Sequence, residues 1–263
     1  MSKKINWIIS NPIPNSPSSC NKDLNGGYGT WDKFSDNPIS RIISKAKKKN
    51  IKLPVLCLGY IDSILKNKNI ECSYSESFKE SISLIKKKDT QGIIIYGSIV
   101  CCELENKLIN EIKLINKNIK VIVVGTFPTK FPKLFKNADH IIIGEPENFF
   151  INWSGKLDDF EKMGKEIFSE NIINLDMLPL PNFNINFAKK YSYRPMLPKP
   201  TGFIEATRGC PYSCGYYCTY GENQGKTIRS HSPARLVEIM QELKVKYGFK
   251  SFQFRDPVFG LKK

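Results

Sequence analysis

Nowhere in the 263 residues do eighteen uncharged apolar residues follow one another, so no membrane-spanning helix is expected. The opening, Met1-Ser2-Lys3-Lys4 before a short Ile-rich run, lacks the apolar core and small-residue cleavage site of a secretory signal. A cytoplasmic chain with no membrane partner is the expectation. Histidine is scarce: the two, His140 and His231, leave little material for zinc sites built on imidazole. Cys-x-x-Cys is absent, which removes the thioredoxin-type redox motif. Cys20, Cys57, Cys72, Cys101 and Cys102 are scattered singly or adjacently, unlike the framework of a disulfide-stapled secreted domain. Internal repeats are absent too, and composition is biased only toward Lys and Asn.

What is present begins with charge. The formal net charge is +15, and the excess is carried by lysine on candidate helix faces such as Lys45 and Lys47 to Lys49. No aromatic residues interleave with these runs, so they read as solvated faces and no specific nucleic-acid partner is expected. With 41% hydrophobic residues the chain can bury a substantial core.

Up to about residue 152, short β-branched runs alternate with longer amphipathic stretches, the pattern of a parallel sheet covered by helices on both faces. Strands are predicted at Asn6–Ser10, about Glu71–Ser75, Gly92–Tyr96, Lys120–Val124 and His140–Ile143. Helices are predicted near Val55–Asn67, Ser77–Lys87 and Glu103–Asn116. The fold class is therefore α/β, a doubly wound Rossmann-like parallel sheet over residues 1–152. Ligands of such sheets sit beyond the carboxyl ends of the strands. The loops there, Gly97-Ser98, Gly125-Thr126 and Gly144-Glu145, each begin with glycine, which lets backbone approach a cofactor or simply turns tightly into a helix. Residues 153–200 gather Pro, Asn and aromatics and read as a linker. Residues 201–263 then give a strand at Gly202–Ala206, a cysteine loop, a helix opened by Ser232-Pro233, and a strand at Ser251–Arg255 closed by Asp256-Pro257.

The loop Cys210-Pro-Tyr-Ser-Cys214-Gly-Tyr-Tyr-Cys218 places three thiols on one flexible segment. Thiolates are the soft ligands that iron–sulfur clusters select, and three ligands on a four-iron cubane leave one iron open to a small molecule. Structural zinc would need a fourth ligand, with His231 the nearest candidate, and fortuitous buried cysteines are the remaining alternative.

Thr207-Arg208-Gly209-Cys210-Pro211-Tyr212-Ser213-Cys214-Gly215-Tyr216-Tyr217-Cys218 resembles the cluster loop of radical S-adenosylmethionine (SAM) enzymes. It resembles in particular the branch in which a cobalamin-binding domain precedes the barrel, which includes the anaerobic magnesium-protoporphyrin ester cyclase type and many C-methyltransferases. Leu53–Ile61, Val121–Thr129 and Ala138–Glu147 resemble further segments of that branch, in the same order. The resemblance implies that Cys210, Cys214 and Cys218 ligate a [4Fe-4S] cluster whose open iron chelates SAM. It implies that Tyr217 lies by the adenine, that Asp256 offers a polar contact to SAM, and that cobalamin rests on Gly97, Ser98, Gly125, Thr126, Gly144 and Glu145. The implied activity is radical-based methyl transfer or cyclisation on a small-molecule substrate.

Three departures qualify the expectation. The usual spacing is Cys-x-x-x-Cys-x-x-Cys, and here one extra residue separates the last two cysteines. An Asp-x-His-x-x-Gly segment is absent, so bound cobalamin would have no protein imidazole beneath it. Finally, the chain is expected to hold only the first βαβ part of a truncated barrel, completed by a second polypeptide or else serving as an inactive cobalamin-type binding module.

Overall fold

The computed structural model describes residues 5–16, 19–23, 27–32, 35–87, 89–192, 197–214 and 218–260. The first part of the chain runs β1 (Ile5–Ser10), β2 (Ser19–Asn21), β3 (Thr30–Asp32), α1 (Pro38–Asn50), α2 (Leu56–Asn67), β4 (Ile70–Ser75), α3 (Phe78–Lys87), β5 (Thr90–Tyr96), α4 (Cys102–Ile115), β6 (Lys120–Val124), α5 (Thr126–Lys130), β7 (His140–Gly144), α6 (Pro146–Asn152) and β8 (Glu166–Ser169). The second part contributes α7 (Ile185–Ala188), β9 (Thr201–Ile204), β10 (Thr207–Arg208), α8 (Tyr220–Asn223), β11 (Arg229–Ser230), α9 (Pro233–Tyr247) and β12 (Ser251–Phe254).

Six strands form one sheet in the order β4-β1-β5-β6-β7-β8, every neighbouring pair parallel. Successive side chains of a strand point to opposite faces, and both faces are apolar here. Ile9, Ile94, Ile122, Val124 and Ile142 face one core with Leu58, Ile61 and Leu65 of α2 and Phe150 of α6. Ile8, Ile93, Ile95, Val121, Val123 and Ile141 face the other with Ile85 of α3 and Leu108, Ile109 and Ile112 of α4. Burial of strands on both faces explains why they read as continuous apolar runs.

The sixth strand and the segment around it differ from the expected linker. β8 lies within residues 153–200, pairs with β7, and alternates between exposed and partly buried positions, with Phe168 79% exposed. A half-solvated edge strand carries no apolar run, which is why its sequence hides it. The same segment supplies Leu175, Leu178, Phe183 and Tyr191 to a third core with Phe203 and Ile204 of β9 and Ile239 and Leu243 of α9. It is a packed bridge between the sheet and the carboxyl-terminal unit.

That unit is a βαβ element: β9 pairs in parallel with β12, and α9 connects them. Ser232 caps α9 by accepting from the Arg235 N–H at 3.2 Å and Pro233 occupies the first helical turn, as the sequence pattern predicts; Gly248 in the left-handed region ends the helix. Among the described residues no helix is long and apolar enough to cross a membrane.

Candidate functional site

The cysteine loop leaves the end of β9 through Glu205 and Ala206, and β10 then pairs antiparallel with β11. Gly209 follows with φ +93°, and a Cβ there would stand 2.1 Å from the Thr227 carbonyl oxygen, so only glycine fits this crossing. Cys210 is buried, its N–H donating to the Gly225 carbonyl at 3.0 Å; Cys214 is exposed and Cys218 partly buried. Tyr217, with Gly215 and Tyr216, lies outside the described residues. By donor type, three thiols on one loop fit an iron–sulfur cluster. Among the described residues, however, no three His, Cys, Asp or Glu side chains are gathered into a ligand set.

Asp256, just past β12, ties the start of this loop to the neighbouring strand. Its Oδ1 accepts from the Ala206 N–H at 3.0 Å, from the Thr207 N–H, and from the Thr207 hydroxyl at 2.6 Å. Its Oδ2 is buried without a hydrogen-bond partner, an acceptor left open. Burial pushes the Asp256 carboxyl up, against the lowering effect of the Thr207 and Ala206 hydrogen bonds.

A buried ion network joins the loop to the sheet. Arg208, two residues before Cys210, reaches Glu205 Oε1 from Nε at 2.8 Å and from Nη2 at 2.6 Å, and Nη2 also reaches Glu147 Oε1 at 2.7 Å. Nη1 stands 3.5 Å from Glu145 Oε2, and the guanidinium lies over the Tyr60 ring at 5.5 Å. Arg229 grips both carboxylate oxygens of Glu145, at 3.0 and 2.6 Å. Burial works against the charge on Arg208, yet Glu147, Glu205 and Glu145 together hold its pKa above the usual arginine value. Burial pushes the Glu147 carboxyl up, and Arg208 opposes it. Of these residues the sequence singled out only Glu145, and as a cofactor contact. A usable signal was available: a lysine-rich chain places arginines at 208 and 229 on either side of the cysteines, and arginine's planar fork suits bidentate buried pairs.

The other loop residues expected at a cofactor are also engaged within the protein. The Ser98 N–H and hydroxyl both donate to Glu105, at 3.0–3.1 Å, and Glu105 in turn pairs at 2.8 Å with Lys22, both side chains fully buried. Burial raises the Glu105 carboxyl despite Lys22. Gly97 packs so closely that a Cβ would stand 2.3 Å from Pro128 Cγ. Gly125 precedes α5 with φ +123°, and the Thr126 hydroxyl accepts from Asn223 of α8 at 3.1 Å. Gly144 passes Ser169 of β8, its N–H donating to the Thr129 hydroxyl at 3.2 Å. The cavity that Gly125, Thr126 and Glu145 help to line holds about 80 Å³. Ligand sites run from about 300 to 1,000 Å³, and a corrin belongs at the upper end. Among the described residues this cavity is too small for a corrin, with Arg208 of the carboxyl-terminal unit among the residues lining it beside Glu145.

No family model matches the chain. It is similar to the uncharacterized methyltransferase PH0819 of Pyrococcus horikoshii, with 27% identity over 237 residues covering 80% of this chain and 50% of that protein. The chain thus spans about half the length of the curated relative it matches.

The His140 ring bonds the Gly164 carbonyl at 2.9 Å and lies tilted against Phe160, while His231 Nδ1 meets Asp176 at 3.0 Å and its Nε2 is buried without a partner.

Proposed function

We propose that the chain belongs to a SAM-dependent radical enzyme acting on a small-molecule substrate, with Cys210, Cys214 and Cys218 holding a [4Fe-4S] cluster. The observation that carries this reading is the three-thiol loop at the carboxyl end of a strand, with the open Asp256 Oδ2 at the end of the strand paired with it. Similarity to an uncharacterized methyltransferase favours methyl transfer over cyclisation. A bound cluster with one open iron would supply SAM chelation and the electron for its cleavage. The protein's own groups serve binding and order: Asp256 fixes the loop through Thr207 and keeps one oxygen available to a donor on SAM. Arg208 anchors the segment before Cys210 to the sheet, so that the loop cannot shift without breaking buried ion pairs.

Anaerobic reconstitution tests the reading. The expected result is about four irons per chain and a broad absorbance near 400 nm, both lost when Cys210, Cys214 and Cys218 are changed to Ala. Formation of 5′-deoxyadenosine from SAM under reducing conditions is expected to follow. A cluster without SAM cleavage would favour a binding module instead, and uptake of zinc alone would overturn the proposal.

A further inference from the structure

A second site lies at the same carboxyl edge of the sheet, away from the cysteine loop. β1 has β4 on one side and β5 on the other, so the direction of crossover reverses at β1. Open α/β sheets bind ligands in the crevice beyond the strand ends at such a point. Here the crevice is a cavity of about 1150 Å³ between the segment following β1, the turn following β4, the first turns of α4, and α1. Backbone bonds from Asn11 to Ser75 and from Ile13 to Glu76, at 2.9 and 2.8 Å, hold the first two walls together.

Charge distinguishes this cavity. Lys45, Lys48 and Lys49 reach it from α1, joined by Lys52, Lys79, Lys107 and Lys190, and Glu76 is the single carboxylate among the lining residues described. Among the described residues, none of the seven ammonium groups lies within ion-pairing distance of a carboxylate. Seven like charges around one concave surface repel each other and focus a positive potential into it, a cost that a bound anion removes. Ile51, Leu53 and Phe78 add apolar wall. Burial pushes the Glu76 carboxyl up to about 7, which reduces the opposing negative charge in the cavity.

We propose that this cavity binds a small phosphorylated molecule, with at least two phosphate groups met by the lysines and an apolar or aromatic body, as in a nucleoside diphosphate, against Ile51, Leu53 and Phe78. The site uses none of Cys210, Cys214 and Cys218 and stands independently of the cluster.

Isothermal titration of the full chain with ADP, pyrophosphate and adenosine, at about 0.1 M salt to screen loose surface attraction, reads the proposal directly. ADP and pyrophosphate are expected to bind, ADP the more tightly, and adenosine to bind much more weakly. The double variant Lys49→Glu/Lys52→Glu should weaken ADP by roughly tenfold or more. The charge-matched Lys86→Glu/Lys87→Glu on α3, outside the cavity, should leave it within about twofold. Lys107→Ala provides a second reading should the first double variant unfold, and circular dichroism checks each fold. Absence of binding at millimolar ADP and pyrophosphate, or equal loss in the two charge-matched variants, would overturn the site. So would a single-stranded oligonucleotide that binds more tightly than ADP and weakens equally in both. Because Cys210→Ala should bind ADP unchanged, failure of the cluster and failure of this site are read separately.

Discussion

The carboxyl edge of the sheet is treated in two opposite ways along its length. Beyond β5, β6 and β7 the loops are closed, their charges buried and paired: Ser98 with Glu105 and Lys22, and Glu145 and Glu147 with Arg208 and Arg229. Beyond β1 and β4 the edge is open, with lysines that form no ion pair among the described residues around a cavity more than ten times larger than the one beside Glu145. A glycine-led turn after a buried strand thus marks where a ligand can approach, but not whether the protein has filled the place itself. Which side chains come back across the loop decides that.

Breaking the closed half should have the largest effect. Arg208→Met leaves Glu145, Glu147 and Glu205 buried with less compensation, and removal of one partner from such a network costs about 3–5 kcal/mol. Urea denaturation should show that loss, and reconstituted iron should fall with it, because the strand leading into Cys210 loses its anchor. A smaller loss is expected at Glu105→Gln, about 2–4 kcal/mol, since the amide can still accept from Ser98 while buried Lys22 keeps its bond to the Tyr96 carbonyl but loses its counter-charge. Gly97→Ala should cost about 1–3 kcal/mol by overpacking against Pro128, measured by thermal unfolding.

The open half should respond most weakly, and through pH. Glu76 has a carboxyl raised by burial from 4.5 to about 7, so the folded chain holds a proton there that the unfolded chain releases. Its contribution is then favourable at low pH and is lost as pH rises from about 4.5 through 7. Glu76→Gln should flatten stability over that window in wild-type-against-variant titrations, whereas an unchanged slope would show that the carboxyl is not held back.

The contrast also explains what could be read in advance. The central strands were legible because Ile93–Ile95 and Val121–Val124 are buried on both faces and carry unbroken apolar runs. α9 was legible from Ser232-Pro233. β8 was not, because Glu166, Phe168 and their neighbours alternate on an edge without an apolar run, and a Pro- and Asn-rich surrounding disguised a packed bridge as a linker. At the site, three thiols at regular spacing stand out because their chemistry is local. The Arg208–Glu147 contact joins residues 61 apart in sequence and leaves no periodic trace. Likewise α1 could be read as lysine-rich, but that three of its lysines turn toward a shared cavity depends on where β1 and β4 end.

The central claim concerns the three thiols, and electron paramagnetic resonance of the reduced, anaerobically reconstituted chain addresses it most directly. The account predicts a paramagnetic iron–sulfur signal whose shape changes when SAM is added, as an open iron accepting the cofactor requires, and no signal from the triple Cys210, Cys214 and Cys218→Ala variant. A signal indifferent to SAM, or one that survives loss of the three cysteines, would contradict it.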